Sequence, residues 1–310
     1  MLNRVTNLTM SSSAQRTLQA QQARLASLQD KASSLDKISR PSDDPAATGQ
    51  ALQTRARIAA AAQYGRNIDD GSRWLNAADS ALEQATNVAH KMQDLTVQAG
   101  NGTLNQSARD ALALELEGLN KDMLSIANRK HLGRNIFAGS SDAATAFTPA
   151  TPATPATPTT PASAGSPTTF NGTPESSVER RISENQTVRV DADGAKIFGN
   201  GAGSIFDTVN NIVAALRGNQ DVAPFTGQLE AGVKNIIDGR SDIGTRQAQL
   251  DRASSVNTDL ETSLDAQKTG IEKADLGSVI MDLKLQETNY QVALAATARV
   301  LQPTLMDFLR

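Results

Sequence analysis

The sequence predicts a mainly α protein: an elongated helical bundle or coiled coil formed by its N- and C-terminal segments, with a small β-containing insertion at its tip. Three observations carry this expectation. Apolar residues recur in steps of three and four near both ends, alanine, leucine and glutamine fill long periodic runs, and one interior stretch turns abruptly to threonine and proline. The C-terminal pattern is the clearest. Leu276, Ile280, Leu283, Tyr290, Leu294, Ala298, Leu301, Leu305 and Phe308 form a stripe broken only by Glu287. Leaving it in water forgoes on the order of 10 to 20 kcal/mol, so this helix needs a partner. At the other end Leu18, Gln21, Leu25, Leu28, Ala32 and Leu35 repeat at heptad spacing with no charge among them. The two termini are expected to lie side by side.

Taken in order, residues 1–17 are polar and weakly patterned, and helix is expected to begin near Ser11 to Ser13. The heptads run to Leu35, and then Pro41 and Pro45 interrupt, since each proline pushes its predecessor out of the α region. Asp44 followed by Pro45 is an N-cap followed by a first-turn proline, which makes capping the reading of Asp43 and Asp44. Helix is then expected from Ala46 to Ala99, with bends at Gly65 and Asp69-Asp70-Gly71. Gly100-Asn101-Gly102 reads as a turn, and Thr103 with Gln106 as a capping box. Leu112, Leu116, Leu119, Met123 and Ile126 mark the buried face of a third helix, ended by Arg129, Lys130 and His131 ahead of Gly133.

Prolines at 149, 152, 155, 158 and 161 predict an extended polyproline spacer without a core of its own. Beyond it, residues 178–182 and 187–191 alternate around a four-residue turn and read as a hairpin, with Lys196-Ile197-Phe198 as a further strand. Helical pattern returns from Ile205 to Leu216 and again from about Pro224 through Ile271, with a softening between Gly270 and Gly277. The expected organisation is a terminal helix (1–40), a middle helical module (41–142), a linker with β insertion (143–200), the rest of the middle module (201–270) and the last terminal helix (271–310). Pro41, Asp44, Pro45, Gly270 and Gly277 are its hinges.

Composition narrows the function. The chain has 310 residues, 39% of them hydrophobic but only 3% aromatic, so a large compact core is not expected. The formal charge of -3 and the lack of a basic cluster with interleaved aromatics argue against nucleic acid. No apolar run reaches membrane-spanning length, and no cleaved secretory signal is read at the N-terminus, which leaves a cytosolic protein or one exported by another route. Cysteine is absent, so disulfide and thiolate chemistry are excluded. No phosphate loop, nucleophile elbow or His-Glu-x-x-His site appears, and the lone His90 and His131 have no ligand spacing. No cofactor, metal or catalytic activity is expected.

Pro41-Ser42-Asp43-Asp44-Pro45-Ala46-Ala47, Asn101-Gly102-Thr103-Leu104, Gly133-Arg134-Asn135-Ile136-Phe137-Ala138-Gly139 and the tail from Ile271 through Ala298 resemble the bacterial flagellin family. The resemblance covers residues 1–142 and 200–310. Within the family, the Pro-Ser-Asp-Asp-Pro form and the Ile-Phe-Ala-Gly segment favour the branch at the hook-filament junction over the filament subunit. The resemblance implies an extracellular structural protein, exported unfolded, whose terminal helices line a tube. Implied partners are copies of itself in a ring or tube, the larger hook-filament junction protein, flagellin, an export chaperone and the export apparatus. Two departures stand out: the family often has glycine where this chain has Leu35, and the threonine-proline repeat has no counterpart. A filament flagellin and a cytosolic coiled-coil scaffold stay open as alternatives.

Overall fold

The computed structural model describes residues 2–102, 104–151, 166–173 and 176–300, with the backbone alone at 2–8, 10, 11, 299 and 300. By packing the chain divides into two units, residues 61–259 and residues 1–60 with 260–310, and two long helices, α2 (Pro45–Ala99) and α6 (Ala223–Glu272), run through both.

In the 61–259 unit, α2 and α6 pair antiparallel, with Asn76 bonded to Gln247 and Asp79 to Arg240. The buried face of α2 is alanine-rich, with Ala78, Ala81, Ala85 and Ala89 alternating with Leu75, Leu82 and Met92. Small side chains let neighbouring elements approach closely. The helix continues through Gly65 and Asp69-Asp70-Gly71, where a bend is expected. Gly71 serves close approach instead: a Cβ there would sit 3.0 Å from Val190 Cγ1 and 3.2 Å from Leu250 Cδ1. Against this pair pack α3 (Gln106–Ala127) and α5 (Ile205–Arg217). The expected face of α3 is the buried one, with Leu119 half-covered. Its cap is Asn105, whose side chain accepts from the Ala108 amide at 2.8 Å, and not Thr103, which lies outside the described residues.

Helix α3 does not extend to the basic residues. Lys130–His131 and Arg134–Asn135 pair as a short hairpin, β1 and β2, turning at Leu132 (φ 48°) and Gly133 (φ 82°), the left-handed pair that matches strand twist in two-residue loops. His131 stands edge-on to Trp74, ring centres 5.4 Å apart. The strands β3 (Phe147–Thr148) and β4 (Thr169–Phe170) pair antiparallel, as do β5 (Glu179–Arg181) and β6 (Thr187–Arg189) of the expected hairpin. The expected strand at Lys196 is helix α4 (Gly194–Phe198), because Asp193 accepts from the amides of Ala195 and Lys196 and nucleates a turn.

The region 143–200 is therefore no appendage without a core. Phe137, Phe147, Phe198 and Phe206 are all buried, Phe170 packs beside them, and adjacent rings lie 5.1 to 5.8 Å apart. Concentrating five of the chain's seven phenylalanines in one place gives the unit a compact core, contrary to the reading from composition. Arg180 pairs with Asp70 of α2 at 2.9 Å, fastening the hairpin to the helices. The Thr151 and Ser166 backbones bond to each other at 3.0 and 3.1 Å beyond the β3–β4 ladder. Pro152, Pro155, Pro158 and Pro161 of the expected spacer lie between them, outside the described residues.

In the other unit, α1 (Leu2–Ser34) runs antiparallel to α7 (Leu276–Val300), and both pack with each other. The helix α1 starts ahead of the expected Ser11 to Ser13. The Ser12 hydroxyl bonds back along the helix to the Thr9 carbonyl rather than capping a new one, and the Ser13 carbonyl accepts from the Thr17 hydroxyl.

Candidate assembly surface

The seam between α1 and α7 is narrow. On α1, Leu18, Gln21, Leu25, Leu28 and Ala32 are half-buried while the residues between them, apart from Lys31, are exposed. On α7 the covered residues, apart from Glu287, are Val279, Leu283, Gln286, Tyr290, Ala293 and Thr297, an alternation of four and three. Only Val279 and Gln286 fall to 7% exposure. The Gln286 amide donates to the Gln21 side-chain oxygen, so the middle of the seam is a polar pair.

Leu283 and Tyr290 of the expected C-terminal stripe face this seam, but Leu276, Ile280 and Leu294 stay 48%, 46% and 42% exposed. A single partner helix covers one stripe, so α7 turns Leu283 and Tyr290 toward α1 and leaves the apolar residues of its other faces outward. Leu301, Leu305 and Phe308 lie outside the described residues. A second exposed track, Met281, Leu285 and Val292, runs along the opposite side of α7 at helical spacing. Sequence reading passed over it because a single stripe was sought; an apolar residue on every face of one helix was the available signal.

The expected hinges are placed differently from one another. Asp44 caps α2, accepting from the Ala47 amide at 2.9 Å, and Pro45 is the first helical residue. Pro41 lies exposed in the turn closed by the Asp43 amide to the Arg40 carbonyl. Gly270, by contrast, is inside α6 and Gly277 inside α7. A lone glycine costs a helix only about 1 kcal/mol, so it marks no break by itself. The interruption is Lys273 to Asp275, and Asp275 starts α7 by accepting from the Gly277 amide at 3.2 Å. Leu35 also leaves the heptads: it follows the last residue of α1 in the left-handed region, φ 57°. That is the position at which the resembling family often has glycine.

Around these breaks Arg55 of α2 pairs with Glu272 at 2.7 Å. The hydrogen bond from Arg55 holds the Glu272 carboxyl below its ordinary pKa and raises that of Arg55. Among the described residues no cluster of three or more acidic, histidine or cysteine side chains is arranged for a metal, and no helix is long and apolar enough to cross a membrane.

The fold is thus that of a helical protein whose chain ends pair and carry more apolar surface than they cover. Residues 5–142 match the family model of the bacterial flagellin N-terminal helical region and residues 226–309 that of the C-terminal helical region, and the chain belongs to the bacterial flagellin family. It is 26% identical to flagellar hook-associated protein 3 of Salmonella typhimurium, over 88% of this chain and 89% of that protein. It is 25% identical to the flagellar filament 41 kDa core protein of Borreliella burgdorferi, over 81% and 76%. The fold is shared with the crystal structure of flagellar hook-associated protein 3 from Legionella pneumophila, with a TM-score of 0.59, 16% identity, and coverage of 71% of this chain and 98% of that one.

Proposed function

We propose that this chain is a structural protein of the bacterial flagellum that joins hook to filament, assembling through α1 and α7. The observation that carries this reading is the end-to-end correspondence with hook-associated protein 3 of Salmonella, 88% of one chain against 89% of the other. The surface of α7 supplies the means. Covering its six half-exposed or exposed large side chains against neighbouring subunits is worth on the order of 5 to 10 kcal/mol per subunit, enough to drive ordered association. In this reading the neighbours are copies of itself in a ring or tube, with the larger hook-filament junction protein and flagellin on its two sides. Export through the flagellar apparatus with a chaperone, and an extracellular position in the flagellum, follow from the same proposal.

The extended match to the Borreliella filament core protein favours a second reading, a filament subunit. Fluorescent labelling of the protein on assembled flagella separates the two: one spot per flagellum at the hook boundary is expected. Staining along the filament selects the second reading, and protein confined to the cytosol rejects both.

A further inference from the structure

The sequence contains three Asn-Gly pairs, at 101–102, 171–172 and 200–201, and the fold holds them differently. Such a pair is chemically distinctive. Glycine has no Cβ to shield its amide nitrogen or to limit its backbone angles, so that nitrogen reaches the side-chain carbonyl of the preceding asparagine more readily than it does in any bulkier residue.

Two of the pairs are locked. The Gly201 amide donates to the Thr168 carbonyl at 3.1 Å, which engages its nitrogen, and the Asn200 side-chain oxygen accepts from the Phe170 amide at 3.1 Å. The Asn171 side-chain amide donates to Thr148 Oγ1 at 2.7 Å and to the Thr145 carbonyl at 3.3 Å, while its backbone amide donates to the Ala146 carbonyl at 2.8 Å. Gly172 is hemmed in as well: a Cβ there would meet the Ala138 carbonyl oxygen at 2.8 Å and collide with the Phe170 ring. Both pairs are bonded to β3, β4 or the residue ahead of β4, so neither glycine nitrogen approaches its asparagine side chain unless this part of the unit opens.

The pair at 101–102 is placed in the open. Asn101 and Gly102 follow the end of α2, both are exposed, and a Cβ built on Gly102 meets nothing within 4 Å. The Asn101 amide donates to the Gln98 carbonyl and the Leu104 amide to the Asn101 carbonyl, both at 3.2 Å, so the turn is tied on either side of Gly102 while the space around that residue stays empty.

We propose that Asn101 is a site of spontaneous covalent modification, deamidation to aspartate and isoaspartate, and that the fold selects it over Asn171 and Asn200. The Gly102 nitrogen attacks Asn101 Cγ. A C–N bond closes a cyclic imide, the bond from Cγ to Nδ2 breaks, and Nδ2 leaves as ammonia with the Gly102 amide proton. Water then opens the ring: addition at Cγ gives aspartate, and addition at the main-chain carbonyl gives isoaspartate. Water is the only co-reactant, and no atom is oxidised or reduced. Each event puts a carboxylate at the C-terminal end of α2, where the helix dipole repels an anion. In the isoaspartate form the carbonyl that receives the Leu104 amide leaves the main chain as that carboxylate, which loosens the turn between α2 and α3.

The test is to age the purified full-length protein in mildly alkaline buffer and to follow its peptides by mass and chromatographic retention. The peptide containing Asn101 is expected to gain the mass difference between OH and NH2, mostly as isoaspartate. Asn171 and Asn200 are expected to react more than about a hundredfold more slowly in the folded chain than in the same chain aged in urea, where the three rates converge. Gly102→Ala, at a position with room for the methyl group, slows the reaction at Asn101 about tenfold, and Asn101→Gln removes it. Hydrogen exchange on the aged chain should show the Leu104 amide losing protection while Val209 and Ile212 of α5 keep theirs. A folded-chain rate at Asn101 no higher than those at Asn171 and Asn200 overturns the proposal. So does a Gly102→Ala chain that reacts as fast as the original.

Discussion

The two packing units are both built largely from helix and finish with opposite surfaces. In the 61–259 unit, alanine faces and a phenylalanine cluster are driven to zero or near-zero exposure. In the terminal unit, only Ala51, Leu264 and Val279 among the described apolar side chains are buried, while Leu276, Ile280, Met281, Leu285, Val292 and Leu294 of α7 face outward. The difference lies in the number of partners. Around α2, several elements approach from different sides, whereas the described surface of α7 is paired with α1 along one narrow seam. A helix with apolar residues on every face is stable only when surrounded, and a chain that supplies one neighbour leaves the other faces uncovered. In the proposed function, stability of the subunit and capacity to assemble are thus assigned to different parts of one sequence.

The strongest test of that division is Phe147→Ala. Removing a fully buried ring that touches Phe170, Phe198 and Phe206 is expected to cost about 3 to 5 kcal/mol, read as a lowered denaturation midpoint of the purified monomer. Leu285→Gln with Val292→Gln should do the reverse. Both positions are 62% exposed, so monomer stability should shift by no more than about 0.5 kcal/mol while incorporation into flagella is lost. An equal loss of stability in both experiments would erase the contrast between the units.

Smaller effects sharpen it. Replacing Gln21 and Gln286 together by leucine should strengthen the seam by about 1 to 2 kcal/mol, seen as slower amide exchange along α7, because an apolar pair replaces a partly desolvated polar one. Register should become less unique. Deleting residues 152–165 and joining Thr151 to Ser166 through a short turn should change the melting temperature little, since those two residues are already hydrogen-bonded. Deleting 143–199 removes Phe147, Val188 and Phe198 from the core and should unfold the unit. The smallest effect concerns Glu272. Its pKa is lowered in the folded state, so its contribution is present above the ordinary carboxylate pKa and disappears as pH falls through the depressed value. Glu272→Gln should abolish that acid-side loss in a pH series of exchange rates at Ala274.

Local chemistry was legible before any fold was known. Asp44 ahead of Pro45 caps α2 because the carboxylate and the ring act within one turn. The heptads of α1 and the hairpin at 179–189 follow from periods contained in a few residues. The flagellin resemblance likewise rested on short motifs kept in order, and the family match bears it out. Other features needed the whole molecule. Helical spacing allows several stripes on α7, and α1, contributed from some 250 residues away, decided which of them is covered. The break falls between Gly270 and Gly277 as their residue type suggested, yet it is Asp275 and the backbone bonds of Ala274 to Leu35 and of Lys37 to Glu272, not the glycines, that set it. The same holds for the aromatics: a composition of 3% says nothing about where they gather, and five phenylalanines meet only because α4, α5, β3, β4 and the segment at Phe137 converge. Periodicity and capping are properties of consecutive residues, so the sequence by itself determined the long helices, several of their ends and the family. Burial is a property of what stands opposite, and only the tertiary structure decided which apolar faces this chain covers and which it leaves exposed.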